Sequence, residues 1–93
     1  MINKSRFVTL ENRLKLLYRL KEDNFYVRMH AYEYIVGTGD RIVAIIFLEP
    51  SRNLAEVLQL ERASKCDIER VVTAIKDLDP TIRVIVKSPK VVN

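Results

Sequence analysis

The sequence contains one cysteine, Cys66, one histidine, His30, no tryptophan, two glycines and three prolines. A single cysteine excludes a disulfide framework within the chain. One histidine with one cysteine cannot supply a His/Cys zinc site. Nor do they suggest a Cys-His nucleophile, because they lie far apart in sequence. No apolar run approaches the ~20 residues of a membrane-spanning helix. The longest, Ile42 to Leu48, has strand length. Met1 to Thr9 lacks the apolar core of a signal peptide. A reducing, cytoplasmic setting without a membrane is therefore expected. Both glycines fall in Gly37-Thr38-Gly39-Asp40, which reads as a turn needing positive φ at both. As a phosphate loop it lacks the later glycine, the lysine and a following helix.

What is present is charge, unevenly spread. The chain has 93 residues and a formal net charge of +4, a size that suits one domain over 1–93. Residues 1–21 hold six basic residues against Glu11, a net of +5. Residues 22–79 hold seven basic and eleven acidic residues, a net of −4. Residues 80–93 hold Arg83, Lys87 and Lys90 with no acid, a net of +3. If the two ends meet, they form one basic surface suited to phosphate backbones. Lys15, Arg19, Arg28, Arg83 and Lys87 are the expected contacts, and nucleic acid the expected partner. The plainer alternative is a solvated, soluble surface.

Periodicity gives the elements. Thr9 is a candidate N-cap for a helix to Glu22, with Leu10, Leu14, Leu17 and Phe7 or Tyr18 on one side. Asn24 to Val36 alternates as one strand. One face carries Phe25, Val27, Met29, Ala31 and Ile35, the expected core. The other carries Tyr26, Arg28, His30, Tyr32 and Tyr34. Aromatic and basic groups alternating on a sheet can stack bases, pack under a helix or form a dimer interface. Arg41 to Leu48 is apolar on both faces and so belongs in the middle of the sheet. With few helices available to cover it, it also points to a homo-oligomer, a dimer first.

Leu54 to Lys65 suits a helix by propensity or a hairpin to a third strand, and residues 55–62 are read as that strand. Asp67 is the expected N-cap of a helix carrying Ile68, Val71, Val72, Ile75 and Leu78, stopped by Asp79-Pro80. Thr81 to Lys87 is a strand, and 88–93 a short tail. The expected fold class is α/β (α+β), a mixed sheet flanked by helices in α-β-β-β-α-β order, with α-β-β-α-α-β as the alternative.

That order resembles the restriction-endonuclease-like core of archaeal Holliday junction resolvases. Asp23-Asn24-Phe25-Tyr26-Val27-Arg28 stands where the family has its Gly-Phe-x-Val-x-Arg strand. Gly39-Asp40-Arg41-Ile42-Val43-Ala44-Ile45 is similar to its aspartate-bearing strand. The resemblance implies a Mg²⁺ site with Asp40 and Glu61 as ligands and Lys65 as the lysine. The family's Glu-x-Lys is replaced, however: Gln59 stands for the glutamate and Glu61 for the lysine. The expectation is accordingly a non-catalytic, degenerate module without cofactor. Val57 to Val86 is also similar to a β-α-β unit of ferredoxin-like regulatory domains, which implies a self-associating interaction module.

Overall fold

The computed structural model describes residues 4–88. The N-terminal segment is held by a short 3-10 turn, Arg6–Val8, which buries Phe7 completely. Thr9 then accepts the Asn12 N–H and opens α1, Leu10–Glu22. The helix ends in a Schellman motif. The Asn24 N–H reaches the Lys21 carbonyl at 3.0 Å and the Phe25 N–H the Leu20 carbonyl at 3.1 Å. Asn24 takes the left-handed conformation this requires, at φ 69. Leu16 and Leu20 form the fully buried side of α1, whereas Leu10 and Tyr18 are exposed. The apolar side expected from Leu10, Leu14 and Leu17 is thus rotated by part of a turn. Leucines on both sides of α1 left that choice to its neighbours.

Four antiparallel strands follow: β1, Tyr26–His30; β2, Glu33–Thr38; β3, Arg41–Glu49; and β4, Leu54–Gln59. After α2, Lys65–Leu78, strand β5, Arg83–Lys87, pairs parallel to β4. The sheet has five strands in the order β1-β2-β3-β4-β5. This is the expected small α+β domain with a mixed sheet, and β3 occupies its middle. Residues 54–59 are strand, which settles that ambiguity against a helix. Most of the tail expected over 88–93 lies outside the described residues.

One strand has become two. Asn24 to Val36 is interrupted by a two-residue connection, Ala31-Tyr32, between the paired His30 and Glu33. Ala31 turns the chain at φ 54. Cross-strand partners share a face, and each pair across the turn joins an odd to an even residue, so the inward phase flips from odd positions in β1 to even ones in β2. Val27 faces the core before the turn, and Tyr34 and Val36 face it after. Tyr34 thereby leaves the expected outer face, and Ile35 leaves the core for that face. The buried Tyr34 hydroxyl donates to the Arg13 carbonyl at 2.7 Å. Burial pushes its phenol pKa well up, against the opposing charge of Arg13.

The glycines serve different needs. Gly39 has φ 61, as a tight turn requires, but Gly37 does not have a positive φ. Between Val36 and Gly37 the β2–β3 register shifts, leaving Val43 as an extra residue on β3. A Cβ on Gly37 would lie 2.9 Å from the Arg41 carbonyl oxygen, so close backbone approach explains this glycine.

Both helices lie on one face of the sheet and pack on each other. The core joins Leu16 and Leu20 of α1 and Ile68, Val71, Ala74 and Ile75 of α2 to Val27, Tyr34, Ile46 and Val57 below them. Helix α2 starts earlier than expected. Ser64 is its N-cap, and Asp67 completes a capping box: the Asp67 N–H donates to Ser64 Oγ at 3.0 Å and the Ser64 N–H to Asp67 Oδ2 at 3.2 Å.

Candidate interaction face

The side of the sheet opposite the helices is open. Cross-strand partners share a face, so the register defines its rows. One row runs Arg28, Ile35, Ile45, Leu58, Lys87 across all five strands. The next runs His30, Glu33, Phe47, Glu56, Ile85. Tyr26 and Ile42 extend the face at one end, and Arg83, beside the buried Leu54, at the other. Its centre is apolar: Ile35 is 39% exposed, and Ile45, Phe47, Leu58 and Ile85 are half-buried. Charged residues bound this strip on both sides. Lys87 Nζ lies 3.2 Å from Glu56 Oε1, while Arg28 and His30 stand exposed on edge strand β1. Contiguous apolar surface rimmed by polar groups marks a site of association.

The five basic residues expected to contact phosphates divide between the two layers. Arg28, Arg83 and Lys87 lie on the open face, with Arg28 and Lys87 about 19 Å apart at four strand spacings. Lys15 and Arg19 lie on α1, across the sheet. Arg19 is also engaged, 3.0 Å from Asp77 and 3.5 Å from Asp23. No single surface among the described residues presents all five. The tyrosine-rich set divides too: Tyr26 stays on the open face, Tyr34 enters the core, and Tyr32 sits in the turn under Arg13, whose guanidinium carbon is 4.1 Å from the ring centre.

The residues of the implied Mg²⁺ site lie at one end of the sheet. Asp40 is in the β2–β3 turn, and Glu61 follows Leu60, whose N–H donates to the Val43 carbonyl at 2.9 Å. Lys65 begins α2. All three are exposed, and among the described residues no three His, Cys, Asp or Glu side chains gather around a common point. Gln59 stands where the family has its glutamate, which leaves Asp40 and Glu61 as the carboxylates at this end of the sheet. Cys66 is exposed in the first turn of α2. An open groove of about 510 Å³ runs between α2 and β5, with Ile68, Val72 and Val86 below and Lys65 and Glu69 at its rim.

A feature the sequence did not signal ties the segment before α1 to the turn before β5. Asp79 is buried, and its Oδ2 accepts from Ser5 Oγ at 2.6 Å and from the Arg6 N–H at 3.0 Å. Its Oδ1 accepts from Thr81 Oγ1 at 3.1 Å. Burial works to raise the carboxyl pKa, but these donors outweigh it and hold the group below its ordinary value.

Compared with protein-family models, curated proteins and solved structures, the chain matches none. Among the described residues no helix is long and apolar enough to cross a membrane.

Proposed function

We propose that this chain is a non-catalytic, self-associating interaction module whose open sheet face is its binding surface. The observation that carries this reading is the apolar strip Ile35–Ile45–Leu58 with Phe47, lying uncovered between charged edges. Aliphatic side chains gain by leaving water against another apolar surface, not against phosphate or base edges. Sheets that bind single strands offer aromatic platforms and a basic groove. This face offers Tyr26 and Phe47 as aromatics, and it carries Glu33, Glu49 and Glu56 as well as Arg28, Arg83 and Lys87. A footprint about 24 Å wide and 17 Å long covers on the order of 400 Å² before side-chain relief is counted. That is small beside the ~800 Å² per partner of a stable complex, so association should be reversible and micromolar or weaker.

Sedimentation equilibrium from micromolar concentrations to about 1 mM tests the reading. The mass should double with concentration, and Ile45→Asp should remain monomeric with an unchanged circular dichroism spectrum. A wild-type chain that stays monomeric throughout would sink it.

Phosphate-backbone contact by Lys15, Arg19, Arg28, Arg83 and Lys87 is the second reading. It is favoured by Arg28 and Arg83, which have no ion-pair partner among the described residues and share a face with Lys87. It requires DNA or RNA affinity that falls steeply with salt. No binding at low salt by fluorescence anisotropy would remove it.

A further inference from the structure

Building on the self-association reading, we infer how two copies meet: face to face, with their strands antiparallel and the Arg28–Lys87 row of each lying on the Glu33–Glu56 row of the other. The charges of the two rows are opposite. The first row carries Arg28 and Lys87 at its ends and no acid. The second carries Glu33 and Glu56 one strand further in, with His30 and Ile85 at its ends. A two-fold axis running across the strands, midway between the rows, lays each row on the other and each strand on its own copy, so that Arg28 lies over His30 of the second copy and one strand from its Glu33, and Lys87 over its Ile85 and one strand from its Glu56. Apolar Ile45 then meets Phe47 of the second copy at the centre. At each edge, basic and acidic residues of the two copies alternate: Arg28 with Glu33 on one side, Lys87 with Glu56 on the other. The Lys87–Glu56 pair within one chain supplies half of the second group already.

The alternatives juxtapose like charges. A two-fold axis along the strands would place Arg28 over Lys87 of the second copy and Glu33 over its Glu56, and like-charge contacts at an interface are strongly disfavoured. Edge-to-edge pairing meets the same difficulty. Two β1 strands would bring Arg28 against Arg28, and two β5 strands would bring Arg83 and Lys87 against their copies. Charged residues on edge strands are a general guard against such pairing. Face-to-face packing with aligned strand axes is also the common way two sheets meet.

The test reverses one row at a time and follows self-association by sedimentation at low salt. Arg28→Glu with Lys87→Glu makes both rows acidic. Glu33→Lys with Glu56→Lys makes both basic. Each double variant should raise the dimer Kd about tenfold or more, an effect that added salt shrinks. The quadruple variant, with both rows exchanged, should regain near wild-type association, which also shows that the substitutions leave the fold intact. Mixing the acidic and basic double variants should give a heterodimer. Unchanged association of the Arg28→Glu, Lys87→Glu variant, or no recovery in the quadruple variant, would overturn this arrangement while leaving self-association standing. A monomeric wild-type chain would overturn both.

Discussion

Asp79 shows how much one carboxylate can hold. It accepts from Ser5, Arg6 and Thr81, joining the start of the chain to the turn before β5. Asp79→Asn keeps the shape but gives the site an NH₂ group facing donors. It should cost about 2 kcal/mol in urea denaturation, the scale of lost hydrogen bonds to a charged group. Its pKa is depressed in the fold. The stability it contributes is therefore fully present above the unfolded carboxyl pKa, about 4, and fades as pH falls through the lower folded value. The gap between wild type and variant should accordingly narrow below about pH 4. The glycines permit a second comparison. Gly37→Ala puts a methyl 2.9 Å from a backbone oxygen that cannot swing away. Gly39→Ala meets nothing within 4 Å and bears only the strain of φ 61. Gly39→Ala should cost about 1 kcal/mol, and Gly37→Ala more, up to ~3 kcal/mol.

At the scale of elements, α2 is the clearest case of sequence dictating structure, and its start the most instructive. The spacing of Ile68, Val71 and Ile75 marks its buried stripe, and Asp79-Pro80 its end. Asp67 could serve as N-cap or as the third residue of a capping box, and only the Ser64 hydroxyl decides. Ser64→Ala should cost about 1 kcal/mol, and Asp67→Ala a similar amount, with less than additive loss in the pair. The β1–β2 hairpin was illegible for a physical reason. Its turn uses Ala31 in the left-handed region, where glycine or asparagine is usual. Nothing in Met29-His30-Ala31-Tyr32 announces a reversal, so the pattern reads as one continuous strand. That single hidden turn moved Tyr34 into the core and Ile35 onto the open face. The position of β3 was legible because apolar residues on both faces demand neighbours on both sides. Its outer face was also legible as unsatisfied, though not what would satisfy it.

For the molecule as a whole, the layers divide the charge. Ser5 and Arg6 meet the turn at Asp79, yet among the described residues Lys15 and Arg19 lie on the helical side of the sheet and Arg83 and Lys87 on the open side. With both helices on one side, this domain has one buried sheet face and one that must either stay wet or find a partner. A small domain gains proportionally more from such a partner because its own core is limited. Self-association therefore couples to stability by mass action: if two folded chains combine and unfolded ones do not, dilution favours unfolding. The melting temperature should rise with protein concentration, by a few degrees between the dimer Kd and about a hundred times that value. Ile45→Asp changes the open face without touching the core cluster, and under the proposed self-association its melting temperature should not depend on concentration. Differential scanning calorimetry across that range measures both. Equal concentration dependence in the two proteins would place the contact elsewhere than on the open face. A flat response in both would mean that the face stays wet and contributes nothing to stability.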